Sequence, residues 1–252
     1  MMQQVRAQEM RISRPQQEAT WLMLYAVFLV MAAGGTGMLI LWKPAAILGA
    51  VYFTQSYWYV VLFKLVLMLG LPWTWFAASG YSFRDLQPKW RLTAKSGAWV
   101  VVAFAAGYFL NASYIGQIHA AIQGGLYTDV GLRVGVGLLV PLISAGLPEE
   151  FYFRGLLQTR LEMVGGRVFA ILTSVTLFTA WHLPSRYLLA KGTEGVAGNF
   201  WSVALNTGAP VFLVGLIFAP LYDRYRSLIP VIALHWGIDT LPHMASFFGI
   251  NH

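Results

Sequence analysis

From Trp21 to Trp42 the chain runs 22 residues without a charged side chain, and no other feature limits so tightly what it can fold into. A hydrocarbon core of about 30 Å needs roughly 20 apolar residues in helix, so a run of this length reads as a membrane span. A tryptophan at each end is how an interfacial aromatic belt looks in sequence. Six further runs follow, at about 57–78, 97–118, 134–157, 168–187, 199–220 and 227–248. Only 11% of the residues are charged and 58% are apolar, whereas a soluble domain has about 25% charged residues. Too little polar surface is left to wrap a soluble core. The expected fold is all-α, a polytopic transmembrane helix bundle of about seven spans, or eight if one is missed. The first 19 residues form a basic cytoplasmic tail, and 20–252 form a single membrane domain.

Orientation follows from lysine and arginine placement. With the amino terminus inside, inner segments hold Arg6, Arg11 and Arg14, then Arg84, Lys89, Arg91 and Lys95, then Arg160 and Arg167, then Arg224 and Arg226. Outer segments hold only Lys43, Arg133, Arg186 and Lys191. The net charge of +7 is therefore mostly topology signal, with some affinity for anionic lipid, and nucleic acid is not implied as a partner. The absence of cysteine excludes disulfides, thiolate metal sites and a cysteine nucleophile.

Against this background a few ionisable side chains fall inside the spans, where each costs at least about 2.5–3.5 kcal/mol on insertion scales. Lys64 lies near the outer end of its run and can snorkel there. The others are Glu149, Glu150 and Arg154 in the fourth run, His182 in the fifth, and His235 with Asp239 in the seventh. Counted at about 1.5 Å per residue from the nearest inner arginine, Glu149, His182, His235 and Asp239 lie roughly 16, 22, 14 and 20 Å deep. Three separate helices thus bring carboxylates and imidazoles to similar depth. Glu150 and Arg154 are four apart and share a face, so the arginine can neutralise that carboxylate, while Glu149 is turned about 100° away toward a cavity. His235 and Asp239 repeat the four-residue spacing, as do Phe178 and His182. Pro148 and Pro184 free backbone groups beside the same residues. Asn111, Asn206 and Thr207 read as hydrogen-bonding contacts between helices, and Asn206–Gly208 as a break in the sixth run. His119, His243 and His252 carry no special role.

A glutamate with imidazoles at mid-membrane, without a Gly-x-Ser-x-Gly or His-Glu-x-x-His pattern, suits activation of a water molecule. Hydrolysis of a peptide bond inside the bilayer is the reaction this serves. Glu149, His182 and His235 also make an adequate set for a divalent metal such as zinc, with water in the open position. The metal-free and metal-assisted versions both stay open here. So do a non-catalytic membrane scaffold or immunity protein and a proton-coupled transporter, although the lack of repeated halves argues mildly against the last.

Pro148-Glu149-Glu150-Phe151-Tyr152-Phe153-Arg154-Gly155 resembles the Glu-Glu-x-x-x-Arg motif of the CAAX prenyl protease 2 type family of intramembrane proteases, also called CPBP or Abi. Phe178-Thr179-Ala180-Trp181-His182 is similar to its Phe-x-x-x-His motif. His235-Trp236-Gly237-Ile238-Asp239 resembles its His-x-x-x-Asn motif, with aspartate in the last place. The match covers a core of about 134–248. The resemblance implies an intramembrane endopeptidase, a hydrolase of glutamic or metallo type, in a prokaryotic cell membrane. It implies that Glu149 is the general base acting with His182, that His235 stabilises the oxyanion, and that Asp239 stands where the family has asparagine. Glu150, Arg154 and Phe178 are implied as supporting residues. The glutamic type needs no cofactor. The implied partners are a membrane protein or peptide substrate and the lipid bilayer. Asp239 departs from the pattern in a way that matters, because an ionised carboxylate cannot donate to an oxyanion.

Overall fold

A computed structural model describes residues 14–41, 64–82, 94–125, 127–190 and 192–250, and all regular structure among them is helical. The first helix, α1 (Pro15–Leu41), opens with proline in its first turn, where a missing N–H costs nothing. Glu18 in the same turn accepts from the Arg14 N–H at 3.3 Å, so the helix starts six residues before the charge-free run. Leu22, Ala26, Leu29 and Ala33 recur at helical spacing and are buried, and this stripe lies along α6. The second helix, α2, joins a wide turn at Leu65–Gly70 to Leu71–Ala78. Residues 57–63 of the second predicted run, and Arg6, Arg11, Lys43, Arg84, Lys89, Arg91, Lys191 and His252, lie outside the described residues.

The third predicted run is not one straight helix. It is α3 (Ala94–Leu110) and α4 (Ser113–Gln123), bent by 75°. At the bend the Asn111 and Ala112 N–H groups tighten onto residues three back, and the Asn111 amide donates to the Ile238 carbonyl at 2.8 Å. A polar side chain that finds a partner on another helix ends the regular ladder here.

Helix α5 runs from Val130 through Gln158 in four stretches: Val130–Pro141, a wide turn at Leu142–Gly146, Leu147–Glu150, and a second wide turn at Phe151–Gln158. The wide turns carry i→i+5 geometry, which is rare and gathers at functional sites. Helix α6 (Thr159–Leu189) continues from it but breaks at Gly166, whose φ of 79° and ψ of 178° are open to glycine and strained for other residues. That break separates the fourth predicted run from the fifth. Helix α7 comprises Phe200–Val203, a wide turn at Ala204–Gly208, and Ala209–Tyr225. Asn206-Thr207-Gly208 therefore widens this helix and does not break it. Arg226 ends it in the left-handed region, and α8 (Ile229–Phe247) follows.

Three helical stretches are long and apolar enough to cross a membrane: Pro15–Met38, Val130–Leu189 and Phe200–Tyr225. The bent pair Gly97–Leu110 and Ser113–Gln123 makes a fourth if counted as one span. The count of about seven is not reproduced by this measure. The Val130–Leu189 stretch contains the Gly166 break, α2 is described only from Lys64, and α8 is made less apolar by His235, Asp239 and His243.

Lipid offers helices little hydrophobic reason to associate, so close packing of small residues does the work. A Cβ on Gly107 would lie 2.4 Å from the Leu234 carbonyl oxygen, and one on Gly237 would lie 2.2 Å from that of Phe104. These two glycines let α3 and α8 touch backbone to backbone. On the other side, Tyr152 donates to the Leu22 carbonyl at 2.6 Å and Tyr25 to that of Leu67 at 2.8 Å, fixing α1 to α5 and α2.

Three of the arginines read as inner-face markers, Arg160, Arg167 and Arg226, are paired with carboxylates. Arg160 is fully buried, 3.1 Å from Glu18, which Tyr81 also meets, and its guanidinium lies over Phe76. Arg226 forks onto Glu162 at 2.6 and 2.8 Å and also meets Asp223, whose other oxygen is 2.6 Å from Arg167. Apart from Arg226 with Asp223, the partners are far apart in sequence and give no local sign of this pairing.

Candidate active site

The Pro148-Glu149-Glu150 segment sits between the two wide turns of α5, and that position sends its carboxylates to different neighbours. Glu150 is fully buried and faces Arg154, with Nε 3.3 Å from Oε2. This is the neutralising pair that their spacing predicts. The guanidinium lies 4.2 Å from the Phe178 ring centre and 5.4 Å from that of Phe218, so two aromatic faces share its charge. The other oxygen of Glu150 accepts from His235 Nδ1 at 2.7 Å.

Glu149, only 1% exposed, turns the other way. Its Oε1 takes the Lys64 ammonium at 2.5 Å. Its Oε2 stands 3.6 Å from His182 Nε2 and is buried with no hydrogen-bond partner among the described residues. His182 Nδ1 is 2.8 Å from the Phe178 carbonyl oxygen. A carbonyl only accepts, so the ring proton is on Nδ1 and the Nε2 lone pair points toward Glu149.

On α8, His235 is 6% exposed and sits between two carboxylates, with Nε2 3.5 Å from Asp239 Oδ2. Asp239 thus flanks the imidazole as the four-residue spacing predicts. Its backbone carbonyl accepts from His243 Nδ1 at 2.7 Å. Phe178 is the shared wall of the site. Its ring lies 4.8 Å from that of His182 and 6.1 Å from that of His235, and Phe218 closes the far side of His235 at 5.2 Å. The Trp236 indole donates to the Leu138 carbonyl at 2.6 Å, holding α8 against α5 one turn before the first wide turn.

All seven residues picked from sequence therefore lie in one neighbourhood, although Glu149 and Glu150 serve opposite sides of it. Lys64 is the residue that sequence reasoning misread. Its stem does not carry the charge to the outer interface, because a buried carboxylate within reach is a stronger partner than a distant headgroup region. The available signal was a charge tally: three carboxylates and one arginine at one depth leave an excess of negative charge. Among the described residues no group of three or more His, Asp or Glu side chains is spaced to hold a metal ion. His235 Nδ1 is engaged by Glu150 and Glu149 Oε1 by Lys64, which leaves His235 Nε2 and Glu149 Oε2 on the side of the site that His182 Nε2 faces.

Residues 132–241 match the family described as type II CAAX prenyl endopeptidase Rce1-like. Over this segment, less than half of the chain, the sequence is similar to that family. No curated protein and no solved structure matches it. The Rce1-like segment begins near the start of α5 and ends within α8, so it contains all three motif helices, with α7 between the second and third. Lys64 lies outside it. Similarity to a protease family, on a chain with helices apolar and long enough to cross a membrane, points to a membrane protein.

Proposed function

We propose that the protein is an intramembrane endopeptidase that hydrolyses a peptide bond of a membrane-associated protein or peptide with a water activated by Glu149 and His182. The observation that carries this reading is the unpartnered, buried Oε2 of Glu149 facing the His182 Nε2 lone pair at 3.6 Å. Two acceptors side by side with no donor between them suit a water molecule, which can give a proton to each. Glu149 takes one proton as the water oxygen bonds to the scissile carbonyl carbon, and the C=O pair moves onto oxygen. When that pair returns, the C–N bond breaks and Glu149 gives its proton to the leaving amine. His235 is the donor available to the oxyanion, with Glu150 fixing one ring nitrogen and Asp239 beside the other. Asp239 in this reading orients His235 and donates nothing itself. This reading takes the metal-free version.

The same reading takes the helices as seven spans with the amino terminus on the cytoplasmic side of a prokaryotic cell membrane, α8 being the polar, site-bearing span. The test is cleavage by the purified protein in lipid nanodiscs of internally quenched peptides, both prenylated ones ending in Cys-aliphatic-aliphatic-X and unprenylated controls. Glu149→Gln should lower the rate by about 10²–10⁴ without changing insertion. Full activity in that variant would sink the proposal.

A further inference from the structure

Glu149 poses a problem that the motif residues do not solve. A carboxylate 1% exposed and in apolar surroundings is costly unless a cation meets it. Arg154 is committed to Glu150 and stacked on Phe178. His182 carries its proton on the far nitrogen and is beyond hydrogen-bond distance from Glu149. Among the described residues, the cation bonded directly to Glu149 is Lys64, which comes from α2 and lies outside the family segment.

We propose, resting on the reading of Glu149 as the base, that Lys64 is a positioning residue of this site: it holds Glu149 in its ionised form and occupies Oε1, so that Oε2 is the oxygen offered to water beside His182. Two features of the structure support this. The carboxylate oxygens are divided without overlap, one on the ammonium at 2.5 Å and the other free and facing the imidazole. The lysine is also presented by an anchored element. It stands immediately before the wide turn Leu65–Gly70, that turn packs against both Leu147–Glu150 and Phe151–Gln158, and the Tyr25 hydroxyl binds its Leu67 carbonyl. An ammonium has three donors. One of them is given to Glu149 Oε1.

A merely structural salt bridge would tie α2 to α5 and leave the turnover of folded protein alone, so the test separates folding from turnover. Wild type, Lys64→Arg, Lys64→Met, Lys64→Gln, Glu149→Gln and the Lys64→Met/Glu149→Gln double variant are compared in nanodiscs with the quenched prenylated peptide, per mole of monodisperse protein. Lys64→Met and Lys64→Gln should each lower kcat about tenfold or more with KM unchanged, and Lys64→Arg should restore most of it. Unchanged kcat in either uncharged variant overturns the assignment. Infrared difference spectra test the same point without a substrate. A protonated-carboxyl band should be present in Lys64→Met at neutral pH and absent from wild type and from the double variant. Identical spectra for wild type and Lys64→Met refute the role of Lys64 even if no peptide is cleaved, whereas the expected band with no cleavage supports Lys64 and counts against the proteolytic reading alone.

Discussion

Replacing Arg154 with methionine keeps a flexible side chain and removes its charge from a fully buried position. Arg154 and Glu150 are both fully buried, and Nε to Oε2 is 3.3 Å. Removing one partner of a buried pair costs about 3–5 kcal/mol, because the other is left behind. Two local facts set where in that range the cost falls. Glu150 keeps His235 at 2.7 Å as a second partner, which lowers it. The Phe178 and Phe218 faces lose a cation at 4.2 and 5.4 Å, and a desolvated cation–π contact is worth up to about 2 kcal/mol, which raises it. The expected destabilisation is therefore about 3–4 kcal/mol. Reversible unfolding by steric trapping in bicelles measures it on inserted protein. Arg154→Lys should lie between wild type and Arg154→Met, since it keeps the charge but loses the planar stack. A cost under about 1 kcal/mol for Arg154→Met would mean the pair is solvated as a surface pair is, and would refute the description of Arg154 and Glu150 as a fully buried pair.

Gly107→Leu should abolish the approach of α3 to α8, since a Cβ alone would meet the Leu234 carbonyl oxygen at 2.4 Å. Loss of monodisperse protein in size-exclusion chromatography, with Gly135→Leu unaffected because nothing lies within 4 Å of its Cβ position, checks this. Asp239→Ala should lower kcat about 10–100-fold by freeing the His235 ring, whereas Asp239→Asn, whose amide oxygen still accepts, should stay close to wild type in the quenched-peptide assay. Treatment with a chelator followed by gel filtration should leave that activity intact. Its loss, with recovery on adding a divalent ion, would replace the metal-free mechanism.

The site was legible in sequence because charge is expensive in a bilayer: Glu149, His182, His235 and Asp239 stood out against apolar runs, and the spacings of Glu150 with Arg154 and of His235 with Asp239 translated directly into contacts. Pairing across the chain was not legible. Lys64 reaches a glutamate 85 positions away and Arg160 one 142 positions away, and nothing local marks either. Nor was the course of the backbone. The bend after Leu110 depends on Asn111 finding the carbonyl of Ile238, and the wide turns of α5 leave no hydropathy signature. Asn111 and Thr207 do bond across elements as expected, to Ile238 and Glu194, whereas Asn206 bonds back to Ser202 in its own helix.

The wide turns at Leu142–Gly146 and Phe151–Gln158 make the site a matter of counting. Each i→i+5 turn spends one residue more than the α-helical ladder requires, so a one-residue deletion inside it need not break the helix. It closes the turn to regular pitch and rotates everything on one side against the other by about 100°. A deletion within Phe151–Gln158 would thus leave a continuous, apolar, membrane-compatible α5 in which Arg154 and Glu149 no longer face the partners they have now. Length in these two turns is under a constraint that hydropathy cannot register, and a chain shortened there would keep its apolar span while losing both its site geometry and the buried Arg154–Glu150 pairing.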